Sequence, residues 1–441
     1  MNQTKKIASN VGWLAGERLV TMALQFGVGL YVVRYLGAED FGKLSYSLGF
    51  AGLFYAPAKL GLDAIVVRNL VKEPESSSQI MGTAFVLKVF SSILTVIAIA
   101  FLIFYLNPNA EIRWLTIMLG SAFLFSPWEV IDFWFQSQVR SKAIALVKTS
   151  QRLVEYGSKL CLIRLTAGLM PFGIINTVGM GCYFLGCSWA YARESKRPRQ
   201  WRFEALRARN MLRDSLPLVF SGVMVAVYLN IDRVMLGNLV NATEVGIYGA
   251  ASRLSEVWYF LPTAICGSVF PAIVRAKQRS ETLYKQRVQQ LYDVMAWLAW
   301  IVVIPVTFLA TPTIRLIFGA EYLPAGQILA WHIWASPFVF LGVARSKWLM
   351  SENLTLFHLA TTVCGAVANI VLNWYLIPLY GGMGAAIATV ISYAVSSHGA
   401  ALLFPSLWGN TWMLTKALAI PLRLRQNIRY WHWCRQYFSS R

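Results

Sequence analysis

Apolar runs long enough to cross a lipid bilayer occupy most of this chain, and they restrict the fold more than any motif does. They can be drawn at about 10–36, 41–70, 80–106, 112–138, 143–165, 170–192, 213–238, 245–274, 290–318, 325–350, 354–379 and 382–404. Twelve spans of about 20 residues use up most of the 441 positions, so no sizeable domain is expected outside the bilayer. Composition agrees: 57% of residues are hydrophobic and 14% charged, whereas soluble domains carry about 25% charge. The expected class is an all-α integral membrane protein.

Orientation follows from the connections. QVRSK (138–142), ARESKRPRQWRFEALRARN (192–210), RAKQRSETLYKQR (275–287) and RSK (345–347) are basic. The alternate loops LNPNAE (106–111), NLVNATEVG (238–246), GAEYLPAG (319–326) and YGGM (380–383) contain no Lys or Arg. Basic loops stay cytoplasmic, so both termini are expected there. This pattern also accounts for the net charge of +20 without a nucleic-acid partner. MNQTKK before an apolar stretch resembles a signal-peptide start, but Glu17 and Arg18 interrupt the segment, which reads as an uncleaved first span.

The long basic connection separates two sets of six spans. The expected organisation is a first half over 1–195, a basic linker at 196–212, a second half over 213–405 and a basic aromatic tail at 406–441. Interleaved Arg, Trp and Tyr at 421–441 suit the anionic inner leaflet. A weak repeat relates the halves: GAEDFGKLS (37–45) aligns with NATEVGIYG (241–249), sharing Ala38/Ala242, an acid at Asp40/Glu244 and Gly42/Gly246. FYAP (54–57) and WYFLP (258–262) follow in turn, and the halves would share an orientation.

Charges at membrane depth are the first candidates for a site. Lys148, Arg152, Glu155 and Lys159 follow an i, i+4, i+7, i+11 spacing, which puts all four on one helical face within about 60°. Each central charge facing lipid would cost roughly 2.5–3.5 kcal/mol. Pairing of Glu155 with Arg152 or Lys159 inside the helix is the simpler account, and it still leaves excess cations. Arg18, Lys88, Arg233 and Arg253 add to these, and the set favours an anion-preferring cavity, where arginine would grip phosphate bidentately. Carboxylates at depth are Glu17, Glu129, Asp132, Glu155, Asp232 and Glu256. Raised into the neutral range by burial, one of them could exchange a proton. The six cysteines form no C-x-x-C pair and the four histidines no metal spacing, so no metal site is expected.

Three stretches are similar to the polysaccharide-exporter branch of the superfamily that includes multidrug and toxic-compound extrusion transporters and peptidoglycan lipid flippases. They are VVRYLGAEDFGKLSYSLGFAGLF (32–54) leading to GLDAIVVRNLVK (61–72), YLNIDRVMLGNLVNATEVGIYGAASRL (228–254), and ANIVLNWYLIPLYGGMGAAIATVISY (368–393) after FGAEYLPAGQIL (318–329). DFWFQSQVRSKAIA (132–145) resembles the family's fourth span and the loop after it. The resemblance implies a MATE-like fold of two six-helix bundles around a central cavity. Within the family the chain looks like the Wzx-type O-antigen flippases, which move undecaprenyl-pyrophosphate-linked oligosaccharide across the bacterial inner membrane.

On that reading Arg18, Lys148, Arg152, Lys159 and Arg253 contact the anionic head, and Glu17, Glu155 and Asp232 couple transport to an ion. The energy source is a proton or sodium gradient, with no cofactor. Partners are the lipid-linked oligosaccharide, membrane lipids, and a polysaccharide polymerase with its chain-length regulator. A drug exporter of the same fold is the alternative, though it would be expected to carry a cavity rich in acids. A glycan polymerase would need a large outer loop, and an ATP-driven pump a phosphate-binding loop of the G-x-x-x-x-G-K-[ST] type; neither occurs in the sequence.

Overall fold

A computed structural model describes residues 3–194 and 201–423, together with Gln426. Positions 196–200 of the linker and almost all of the 421–441 tail segment lie outside the described residues. Tight packing divides the chain into two compact units, one up to Gly246 and the other from Ile247 onward.

The first unit opens with α1 (Gln3–Leu53), bent at Gly37, where φ is 72° and ψ 174°. A side chain with a Cβ is strained in that conformation, and the bend separates the first span from the start of the second. The second span continues through α2 (Tyr55–Lys59) and α3 (Asp63–Lys72), broken by left-handed backbone at Leu60 and Gly61. After α4 (Ser77–Leu106) comes α5 (Ala110–Ser121), whose first turn is capped by the Asn109 side chain accepting from the Ile112 N–H. A 3-10 segment over Ala122–Trp128 then leads into α6 (Glu129–Ser137). Pro127 in that segment has no N–H to donate to a regular helical ladder. The unit is completed by α7 (Lys142–Arg164), α8 (Leu169–Glu194) and α9 (Ala205–Leu239).

The core of this unit joins Leu62, which precedes α3, and Ile65 and Val66 of α3 with Ile80 and Met81 of α4, Val130 and Phe135 of α6, and Tyr183 and Cys187 of α8. Because α9 packs along α1 and α2, the compact unit reaches past the linker that divides the spans into two sets of six. The weak repeat acquires a physical meaning here. A Cβ added at Gly42 would fall on the carbonyl oxygen of Ala242, and one added at Gly246 would fall on that of Ala38. The two segments that match in sequence are thus pressed reciprocally against each other, each supplying the glycine that admits the other's backbone.

The second unit takes most of α10 (Ala242–Glu256), then α11 (Phe260–Arg279), α12 (Glu281–Phe318), α13 (Pro324–His332), α14 (Ser336–Ser351), α15 (Thr355–Ser397) and α16 (Trp408–Leu418). A bend at Gly381, with φ 56° and ψ −134°, divides α15 into two spans. Leu414, Ala417 and Ile420 join a core with Tyr292, Met295, Ala296, Phe340 and Leu341. Arg423 reaches Asp293, which has no exposed surface, at 3.2 Å. The stretch from Trp408 to Arg423 is therefore docked on its unit.

Among the described residues nine stretches are long and apolar enough to cross a membrane. Dividing the first at Gly37 and the last at Gly381, and adding the more polar α7, recovers the twelve spans expected from hydropathy. The chain is a multi-pass membrane protein.

Candidate functional site

Buried charge in the first unit falls on α4, α6, α7 and α9, at positions that a lipid-facing surface would not tolerate. On α7 the stripe forms as its spacing predicts, and Glu155 is its hub. The carboxylate, 5% exposed, accepts from Lys159 at 2.7 Å, from Arg152 at 2.9 Å and from the Gln151 amide at 2.7 Å. Lys159 also donates to the Asn176 carbonyl oxygen on α8 at 2.9 Å. Gly179 of α8 makes room for this hub: a Cβ there would lie 2.9 Å from the Gln151 amide nitrogen.

Lys148 is held from outside its own helix. Its ammonium lies 2.6 Å from Asp132 of α6, whose other oxygen accepts from Gln136 at 3.1 Å. The sequence suggested three cations against one acid; the fold brings in a second acid, so the stripe carries a surplus of one positive charge. Lys148 and Arg152 keep about a third of their side-chain surface open, whereas Lys159 is nearly enclosed.

Arg18 and Glu17 belong to α1, which runs parallel to α7. The Lys142 ammonium sits 5.0 Å from the Trp13 ring centroid near the starts of the two helices, and Tyr35 donates to the Ala167 carbonyl at 2.8 Å near their ends. Arg18 is exposed and lies level with the Lys148 turn, while Glu17 accepts from Thr21 at 2.9 Å. Asp232 is buried on α9 and Arg253 half-buried on α10; neither belongs to the α7 stripe.

A second charged cluster was only half legible in the sequence. Lys88, with no exposed surface, lies 2.9 Å from one oxygen of Glu129, and Lys59 lies 2.8 Å from the other. Asp63 stands 3.6 Å from Lys88. Lys88 and Glu129 are among the charges at depth that the sequence singles out, whereas Lys59 and Asp63 lie inside the 41–70 run without being singled out. Their signal was present, since both flank the Leu60–Gly61 break, and Gly61 marks a turn in that run.

The comparisons with known proteins agree on fold and family. The family model described as polysaccharide biosynthesis protein matches residues 7–277, and the MatE model matches 217–375. A probable low-salt glycan biosynthesis flippase of Haloferax volcanii, Agl15, is 22% identical over 382 residues, covering 84% of this chain and 79% of that protein. The capsular polysaccharide biosynthesis protein CapF of Staphylococcus aureus is 18% identical, with 88% and 97% covered. The solved structure of lipid II flippase MurJ in an inward closed conformation has a TM-score of 0.71 at 14% identity, with 93% and 91% covered. An inward-facing multidrug resistance MATE family transporter has a TM-score of 0.66 at 15% identity, with 91% and 95% covered. These likenesses establish a MATE-like helical membrane fold. With its family model matched over more than half its length, the chain belongs to the polysaccharide biosynthesis protein family.

Proposed function

We propose that this protein moves an undecaprenyl-pyrophosphate-linked oligosaccharide, an O-antigen or related repeat unit, from the cytoplasmic to the outer leaflet of a bacterial inner membrane. The observation that carries this reading is the α7 stripe, a row of charges with one surplus cation and two part-open side chains at membrane depth. A pyrophosphate and a glycan cannot enter hydrocarbon without losing their hydrogen bonds to water, so both need a polar path. The polyprenyl chain needs none and stays in lipid.

Lys148, Arg152 and Arg18 meet the anion first because they are the accessible members, with Lys159 and Arg253 as further contacts. Glu155 holds Arg152 in the absence of substrate, and a phosphate oxygen can replace that carboxylate on the guanidinium without leaving it bare. Glu17, Glu155 and Asp232 are the carboxylates through which a proton or sodium gradient drives alternating access. The MatE match over the second half favours a drug exporter as second reading; the cationic stripe weighs against it.

A deletion strain assayed for lipid-linked oligosaccharide in each leaflet tests the function. Inner-leaflet build-up with loss of surface glycan is expected, and normal surface glycan without build-up refutes the flippase reading. Neutralising Arg152 and Lys159 together should abolish complementation in a protein that still inserts. Full complementation would remove the stripe from the mechanism.

A further inference from the structure

We propose that Asp63 is a further carboxylate, beside those named above, through which this protein exchanges a coupling proton, with Lys88 passing between Asp63 and Glu129 as the proton comes and goes. The proposal rests on the ion-coupled transport reading above and adds to it a site on other helices than the α7 stripe.

Depth comes first. Lys88 is eleven positions into α4 (Ser77–Leu106), about 16 Å along a helix rising 1.5 Å per residue, or roughly half of a 30 Å hydrocarbon layer. At this level two spans are broken. The second breaks between α2 and α3, with Lys59 in the last turn of one and Asp63 in the first turn of the other. The fourth passes through its 3-10 segment and restarts as α6 at Glu129. Asp63 thus sits at a helix start and Lys59 at a helix end, the arrangement that helix dipoles favour, while Glu129 follows directly on the 3-10 turn. In transporters discontinuous helices place such ends at ion sites.

The two carboxylates are not equivalent. Each oxygen of Glu129 holds a lysine within 2.9 Å, so a proton there would break two short ion pairs. Asp63 Oδ1 is buried and has no hydrogen-bond partner among the described residues. Its ion pair to Lys88 is 3.6 Å long, beyond hydrogen-bonding range. Half of the Asp63 side-chain surface is open, and an open carboxylate at this depth needs water beside it.

Other charges around Asp63 leave this pairing intact. Lys59 faces the cluster from α2, Lys88 from α4, and Glu129 from α6 with Asp132 one turn on. From α9 the charged contact to α3 is Asp214, which pairs with Arg68 at 2.6 Å further along α3.

The step balances as a proton transfer. A hydronium ion gives its proton to a carboxylate oxygen of Asp63 and leaves as water, the Asp63–Lys88 ion pair breaks, and the ammonium keeps its own protons and moves wholly onto Glu129. The four-residue cluster goes from neutral to one positive charge, and release of the proton reverses each change. If the cluster were only a fixed clamp, both carboxylates would stay ionised throughout.

Infrared difference spectroscopy on the full-length protein in liposomes without substrate separates these cases as pH is stepped. The parent should show a carboxylic acid band that titrates, and Asp63→Asn should remove it. Asp63→Glu should keep a displaced band, which guards against misfolding of the amide variant. Lys88→Met should displace the midpoint of that band, because the charge paired with Asp63 is gone. An unchanged band in Asp63→Asn, or an unchanged midpoint in Lys88→Met, overturns the proposal. A fluorescent polyprenyl-pyrophosphate disaccharide in the same liposomes then keeps the two readings apart. If the Asp63 band titrates and no probe crosses, the site stands and the flippase reading falls. If the parent and Asp63→Asn carry the probe with the same response to a pH gradient, the coupling role falls and the flippase reading stands.

Discussion

Replacing Glu155 with glutamine keeps the shape of the α7 hub and removes the charge that two cations share. The larger loss is at Lys159, which is 9% exposed and would lose its anionic partner while keeping the neutral Asn176 acceptor at 2.9 Å and the Tyr156 ring at 4.8 Å. Stripping one partner from a buried pair costs about 3–5 kcal/mol, and the Asn176 contact puts this case at the lower end, about 3 kcal/mol. Arg152 keeps a third of its side chain open, so solvent screening limits its share to about 0–1 kcal/mol. The sum, about 3–4 kcal/mol, corresponds to a fall in melting temperature of several degrees. Thermal unfolding of the purified protein in nanodiscs reads this directly. The double variant Glu155→Gln/Lys159→Met should recover most of the loss, since an apolar replacement of a whole buried pair is often neutral. A single variant melting with the parent, or a double variant no better than the single, would refute the paired hub.

The reciprocal glycine contact should be intolerant at both ends: Gly42→Ala and Gly246→Ala should each destabilise by about 1–3 kcal/mol or more, as overpacking against backbone does. Gly267→Ala, where an added Cβ meets nothing within 4 Å, should instead be neutral or stabilising by about 0.5–1 kcal/mol, and equal melting of all three would remove the close approach. Acid stability offers another check, at Glu352, between the α14 and α15 spans. Burial alone would raise its carboxyl, but hydrogen bonds from the Tyr284 hydroxyl at 2.6 Å and the Lys277 ammonium at 2.9 Å outweigh it and hold it below the ordinary range. A carboxyl depressed in the fold stabilises above its unfolded value, about 4.3, and that contribution fades as pH falls through the lower folded value. Glu352→Gln should therefore lower stability at neutral pH and flatten the acid limb of a stability–pH profile; an acid limb as steep as the parent's would contradict this.

Hydropathy alone placed the twelve spans because each crossing is a local property of about 20 consecutive residues. The α7 stripe was equally legible, since i, i+4, i+7 spacing on a helix fixes a shared face before any partner is known. The repeat between GAEDFGKLS and NATEVGIYG could be aligned in the sequence, but nothing there said that the two segments touch. Tertiary structure alone decided that Gly42 and Gly246 each receive the other segment's backbone, that Asp132 rather than a neighbour on α7 neutralises Lys148, and that Lys59 and Asp63 join Lys88 and Glu129. The reason is physical: hydropathy and helical periodicity are written along the chain. The partner of a buried charge is set by which helices pack side by side, and in the Lys59–Glu129 pair the two residues are 70 positions apart in sequence.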